Sequence, residues 1–310
     1  MHVYTPIFAV MVTWPEWLDR DLYPFAAHRF AADGGEMHYV DEGEGPPVVF
    51  VHGNPTWSFQ FRTAIRELSP THRCVAPDHL GFGLSDKPAG WSYRPTEHAA
   101  NFARFMADLD LTGVTLVVGD WGGPIGLSWA LDHPERVRHI VITNTWLWSV
   151  RGDLYYRGFS TLMGGPVGRF LIRRRNAFAR DVLRAAFADK TKLTPQIHEH
   201  YLAPLADPGQ RTGTWVLPRH IMASSGWLSG LWRRRSVLAG IPMSVLWGTE
   251  DIAFRDKELR RWAAAFPHAS VDRLPVGHFI AEEDPQALID VIRAGGDEPS
   301  HRLEDTPPRI

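Results

Sequence analysis

Cysteine is nearly absent: Cys74 is the single example in 310 residues. One thiol excludes an intramolecular disulfide, and its place in an apolar run makes it a core side chain, not a reactive one. No run of about 18 apolar residues occurs, so no transmembrane helix is expected. Charge of one sign is lacking too. Lys and Arg total 33 against 35 Asp and Glu, a net charge of −2. That balance gives no global bias toward nucleic acid or an anionic membrane, and neither is expected as a partner. No Cys/His grouping has metal-ligand spacing, so neither metal nor cofactor is expected. Internal repeats are absent as well. The apolar opening at residues 3–14 is short, contains Pro6 and has no Lys or Arg before it, which makes it a poor signal peptide. A cytoplasmic protein is expected. Met11 is an alternative start, which would make residues 1–10 a non-native leader.

What is present is ordinary globular material: 44% hydrophobic and 22% charged residues. The length suits one large α/β domain with an insertion, or two small domains. Thirteen tryptophans could line an apolar pocket, although core packing accounts for most of them.

Short Val/Ile-rich runs recur at 47–52, 73–77, 114–118, 138–143, 243–247 and 269–274. Their length and composition predict strands buried on both faces of a parallel sheet. Helical patterns separate them near 57–68, 96–109, 123–132, 255–265 and 284–294, which implies right-handed crossovers. An opening hairpin is expected near 27–41. The rhythm breaks between 146 and 238, where helical patterns and Trp/Arg clusters take over. That segment holds thirteen Arg and two Lys against four Asp and one Glu, and reads as a helical cap inserted between two strands. Its basic surplus is expected to be a solvated helical surface, with attraction to anions or to an acidic partner as the alternative. The expected organisation is a main domain at 20–145 and 239–294, a cap at 146–238, a leader at 1–19 and a disordered tail at 295–310.

The chemistry concentrates at strand ends. Val117-Val118-Gly119-Asp120-Trp121-Gly122-Gly123 runs an apolar strand into a glycine-flanked turn and then a helix. Such a nucleophile elbow lifts one side chain above the sheet's carboxyl edge. Here that side chain is Asp120, and an aspartate nucleophile would leave an ester on its own carboxyl group. The competing role is a turn aspartate capping the helix. Three further features favour the nucleophile. His52-Gly53-Asn54-Pro55 follows one strand, Gly248-Thr249-Glu250-Asp251 another, and Gly277-His278-Phe279 a third. The chain order is nucleophile, acid, histidine, as in α/β hydrolases, and each residue follows the carboxyl end of a strand, where open parallel sheets place their sites.

The strings HGNPTWSFQFR (52–62), GFGLSDKP (81–88), GDWGGPIGL (119–127), LWGTEDIAF (246–254) and GHFIAEEDP (277–285) together resemble the haloalkane dehalogenases. The resemblance spans roughly residues 20–293. It implies an α/β-hydrolase fold, with a mostly parallel eight-stranded sheet and an inserted helical cap. It further implies hydrolysis of small halogenated alkanes to alcohol and halide. Asp120 would be the nucleophile, His278 the base, and Trp121 and Asn54 the halide-stabilising donors. One subfamily carries a glutamate acid after the strand preceding the cap. No Glu lies between Glu135 and Glu199 here, so the acid falls to Asp251, with Asp153 as the alternative and Glu250 one residue off the motif. The set resembles the subfamily usually numbered III. A homo-oligomer is left open.

The nearest rival is an epoxide hydrolase using the same Asp-His-Asp triad. Ring opening would need an acid on the oxygen, and Tyr155, Tyr156 and Tyr201 fall in the cap. Against it stands Asn54, where those enzymes usually carry an aromatic residue. A non-catalytic binding protein on the same scaffold would be expected to lack a triad member, and none is missing.

Overall fold

The computed structural model describes residues 14–295. Eight strands form one sheet in the order β1-β2-β4-β3-β5-β6-β7-β8. They are β1 (His28–Ala32), β2 (Gly35–Glu42), β3 (Pro47–Val51), β4 (Arg73–Pro77), β5 (Val114–Gly119), β6 (Val137–Thr143), β7 (Met243–Gly248) and β8 (Ser270–Leu274). β1 pairs antiparallel with β2, and β2 with β4. From β4 to β8 every pairing is parallel.

The central strands are apolar because helices cover both faces. Val48, Val49, Phe50 and Val51 are fully buried, as are Leu116 and Val118. Each such side chain contributes roughly 1.5–3 kcal/mol relative to exposure. β8 differs: it is an edge strand, half-buried, and Asp272 and Arg273 interrupt its apolar pattern. Cys74 is buried in β4, and burial pushes its thiol pKa up to about 12, which suits a core side chain.

Three crossover helices lie near their expected positions: α1 (Arg62–Leu68), α2 (Pro95–Leu109) and α3 (Gly122–Asp132). The first is preceded by a 3₁₀ turn at Ser58–Phe61, so the predicted helix over 57–68 is split. Between β6 and β7 the regular structure is wholly helical. It comprises α4 (Leu154–Gly164), α5 (Pro166–Arg175), α6 (Leu183–Ala186), α7 (Pro195–Leu202), α8 (Thr212–Ala223) and α9 (Ser225–Arg233), with a π-helical turn at Phe178–Val182 and short 3₁₀ turns. The chain closes with α10 (Asp256–Ala265), α11 (Ile280–Glu283) and α12 (Pro285–Ala294). Of the expected leader, residues 14–19 pack on the folded body: Leu18 is buried, Trp17 meets Trp57 edge-on at 6.0 Å, and the Asp19 N–H donates to His200 Nε2 at 3.0 Å. Residues 1–13 and 296–310 lie outside the described residues, as do most of the predicted leader and tail. Among the described residues no helix is long and apolar enough to cross a membrane.

Candidate active site

Five consecutive parallel strands each release one polar residue at the carboxyl edge. Asn54 follows β3, Asp120 follows β5, Asn144 follows β6, Asp251 follows β7 and His278 follows β8.

Asp120 sits at φ +46°, a left-handed conformation in which Asp is better tolerated than most residues. The turn is tight because strand, helix and neighbouring loop meet there. A Cβ on Gly122 would collide with the Val51 carbonyl, and one on Gly123 with the Thr145 hydroxyl. Glycine is therefore a steric requirement at both positions. The Asp120 N–H donates to Asn144 O at 3.1 Å, and Thr145 Oγ1 donates to Asp120 O at 2.5 Å. The carboxylate accepts the Asn54 backbone N–H on Oδ1 at 2.7 Å. Burial raises the Asp120 pKa, while His278 and the backbone N–H groups of Asn54 and Trp121 oppose that rise.

His278 Nε2 lies 3.9 Å from Asp120 Oδ2, and its Nδ1 lies 2.8 Å from Asp251 Oδ2. Phe254 stacks on the imidazole at 5.6 Å, and the His278 N–H donates to Ala186 O at 2.9 Å. Burial alone would lower the His278 pKa. The charge and hydrogen bond of Asp251, with the charge of Asp120, outweigh it and push the value up to about 9. The loop that carries the ring is braced by Glu283, whose carboxylate accepts N–H groups from Gly277, Ala188 and Asp189.

Asp251 is itself held on both oxygens. Oδ1 accepts the Ala253 N–H at 2.5 Å, and Oδ2 accepts Asn144 Nδ2 at 2.7 Å. Asn144 also exchanges hydrogen bonds with both backbone groups of Gly248. Sequence reasoning assigned Asn144 no part. The available cue was its position, a polar residue at the carboxyl end of β6 where every neighbouring strand supplies a site residue. Asp153 and Glu250 lie elsewhere. Asp153 caps α4 through the Tyr155 N–H and pairs with Arg255 and Lys257, and Glu250 is exposed.

Asn54, Asp120, Trp121 and His278 line one cavity of about 90 Å³. A single water needs roughly 10–15 Å³ by this measure, so the space suits a small molecule. Its remaining walls are mostly apolar, among them Trp146, Phe159, Phe178, Val182, Leu183 and Ile221. The buried Trp146 indole N–H has no hydrogen-bond partner among the described residues, and beside it lies the Trp121 indole. Trp146 meets that indole edge-on at 4.7 Å. Asn54 Nδ2 donates one N–H to Thr214 O at 3.3 Å. That carbonyl is free because Pro218, one helical turn later inside α8, has no N–H to offer it. The contact fixes which end of the Asn54 amide is the donor, and it leaves the second N–H of Nδ2 unused. Of the three tyrosines, Tyr155 and Tyr156 line the cavity, whereas Tyr201 donates to Glu282. Among the described residues no cluster has the make-up of a metal site.

The fold and the strand-end residues define an α/β hydrolase with aspartate at the elbow. The α/β-hydrolase-fold family matches residues 46–285. Haloalkane dehalogenase 2 of Mycobacterium tuberculosis is 38% identical over 277 residues, covering 88% of this chain and 96% of that protein. A cis-3-alkyl-4-alkyloxetan-2-one decarboxylase of Shewanella oneidensis is 32% identical over 294 residues, covering 88% of each. Among solved structures, haloalkane dehalogenase DbeA from Bradyrhizobium elkani superposes with a TM-score of 0.79 at 26% identity, covering 88% of this chain and 97% of that one. The chain belongs to the haloalkane dehalogenase family, and it is a hydrolase acting on carbon–halogen bonds.

Proposed function

We propose that the enzyme converts small haloalkanes to alcohol, halide and a proton through an alkyl ester on Asp120. The observation that carries this reading is one apolar cavity in which the Asp120 carboxylate, the Trp121 indole and the His278 imidazole meet. The helices between β6 and β7 act as the cap that closes this cavity from above. An oxygen of Asp120 attacks the halogen-bearing carbon in line, and the carbon–halogen bond breaks as the ester bond forms. Negative charge moves from the carboxylate to the departing halide. Donors aimed at that position bind the transition state more strongly than the ground state. Trp121 Nε1–H and the unused Asn54 N–H are those donors. Neither carries a charge that would hold the product halide as firmly as Lys or Arg.

Water then attacks the ester carbonyl. His278 takes the water's proton, and Asp251 orients the ring and stabilises the imidazolium. The backbone N–H groups of Asn54 and Trp121 hold the carbonyl oxygen as it becomes an oxyanion. Esterification also readies the base. It removes the charge of Asp120, one of the influences that raise the His278 pKa, so the imidazole sheds its proton more readily once the ester exists. Asp120→Asn mimics that loss of charge. A pH titration of the His278 ring by NMR should show its pKa falling below about 9 in this variant. An unchanged value would remove Asp120 from the account.

The two halide donors are tested by Trp121→Phe, which keeps most of the ring and loses the N–H, and by Asn54→Ala. Each should slow halide release by roughly a hundredfold and weaken bromide quenching of tryptophan fluorescence. Hydrolysis of a preformed ester should suffer less. Near-normal halide release from both variants would reduce these residues to packing roles.

Similarity to the oxetanone decarboxylase carries a second reading. A strained four-membered lactone could be opened by Asp120 at the ring carbon that bears the ring oxygen, expelling a carboxylate onto the same two donors. Loss of CO₂ from that carboxylate would then form an alkene and release Asp120. A screen of brominated and chlorinated alkanes, run beside cis-dialkyl lactones and epoxides, separates the readings. Halide release with no alkene from the lactones supports dehalogenation; alkene and CO₂ without halide release would replace it. Diol from the epoxides without halide release would favour the epoxide hydrolase.

A further inference from the structure

The basic surplus between β6 and β7 is not spread evenly. From Leu154 to Arg175, α4 and α5 hold Arg157, Arg169, Arg173, Arg174 and Arg175 and no acidic residue. All five are exposed, and none is ion-paired within the described residues. The same helices carry five of the seven large apolar side chains exposed among the described residues: Leu154, Tyr155, Leu162, Val167 and Phe170. Leu154 is 80% exposed and Phe170 62%, far beyond what a helix buries for its own packing.

These side chains form a continuous surface. Leu154, Leu162, Pro166 and Val167 line one shallow groove. Pro166 also borders a second depression, where Phe170 and Trp215 lie among Arg169, Arg173, Arg174 and Arg219. Tyr155, adjacent to Leu154 in the chain, lines the active-site cavity and is itself partly exposed.

We propose that the outer face of α4 and α5 docks on an anionic lipid bilayer, its apolar side chains entering the headgroup region and its arginines meeting lipid phosphates. This goes beyond the proposed reaction and does not depend on it. Bulky apolar side chains flanked by arginine are the composition of helices that lie in a membrane interface, and the guanidinium fork matches phosphate geometry. Each arginine near an anionic leaflet favours binding by about fivefold. The net charge of −2 led to an expectation of no membrane partner, but a net charge does not describe a local face. A second copy is a poorer occupant. In a two-fold contact the face would meet itself and set arginines against arginines.

The test is co-sedimentation of the full-length protein with vesicles of phosphatidylcholine alone and of phosphatidylcholine mixed with phosphatidylglycerol. Two double variants accompany it: Arg173→Glu with Arg174→Glu, and Leu162→Ser with Phe170→Ser. All four positions are exposed and lie outside the cavity, so turnover of a short bromoalkane without vesicles should be unchanged and serves as the folding control. The wild type should bind mixed vesicles at least about tenfold better than neutral ones, less so in high salt, and each double variant should lose at least about tenfold of that binding. Equal or absent binding to the two vesicle types would overturn the proposal, as would full binding by both variants. A concentration-dependent dimer that Leu162→Ser with Phe170→Ser abolishes would assign the face to a second copy and overturn it equally.

Discussion

Replacing Asp120 with alanine is expected to end halide release while leaving the fold in place. The expected loss is at least about 10⁴-fold, the order seen when a covalent nucleophile is removed and only binding and oxyanion contacts remain. No other carboxylate can substitute. Asp251 has its oxygens committed to Ala253 and Asn144, and it faces the opposite edge of His278. The stability cost should be small because two effects oppose. A buried carboxylate whose pKa is raised is removed, which favours the fold. Alanine, however, tolerates the positive φ at the elbow less well than Asp, by roughly 1 kcal/mol. A circular-dichroism melt alongside the halide assay separates loss of chemistry from loss of structure. Turnover above a few per cent of wild type in a folded Asp120→Ala protein would refute the nucleophile assignment.

The elbow was legible in the sequence because its geometry leaves few choices. Strand, turn and helix approach so closely that Gly122 and Gly123 have no room for a Cβ, and such a constraint leaves a local trace. The strands β3 and β5 were legible for a related reason. Burial on both faces demands unbroken apolar runs, so PVVFV and VTLVVG stand out. The edge strand β8 has only one neighbouring strand and tolerates Asp272 and Arg273, which dilutes its pattern.

What stayed hidden depends on pairings between distant residues. Asn144 meets Asp251 because β6 pairs with β7 in a register that sets Thr143 opposite Leu246. A shift of that register would part them, and nothing near Asn144 in the chain records it. The contact between Asn54 and Thr214 spans 160 positions. It exists because a proline four residues further on frees one carbonyl of a helix that docks over the sheet. Pro218 is visible in the sequence as a helix interruption, but the group it frees has meaning only once α8 is in place. The arginines were visible too. Read as charge along a chain, they suggested a solvated surface; only folding sets them beside Leu162, Val167 and Phe170.

The sharpest separation of the two chemical steps comes from His278→Phe. The ring lies between Phe254, stacked at 5.6 Å, and Phe279, edge-on at 4.7 Å, so phenylalanine fills the same space without a basic nitrogen. Attack by Asp120 needs no proton transfer, because a carboxylate is already the nucleophile and halide leaves as an anion. The first step should therefore survive. Hydrolysis of the ester loses its general base, a contribution of about 10²–10⁴-fold. The expected result is a burst of one halide per active site followed by a stall, with the substrate's alkyl group retained on the protein. Mass spectrometry of a digest should place that group on the peptide containing Asp120. The imidazole also accounts for one charge opposite Asp120, so the burst itself is expected to change in rate but not in amplitude. Continuous turnover in this variant would show that another group activates the water. A burst with an unmodified Asp120 peptide would mean that halide left by direct hydrolysis, and the covalent scheme would fall even if the family's activity stood.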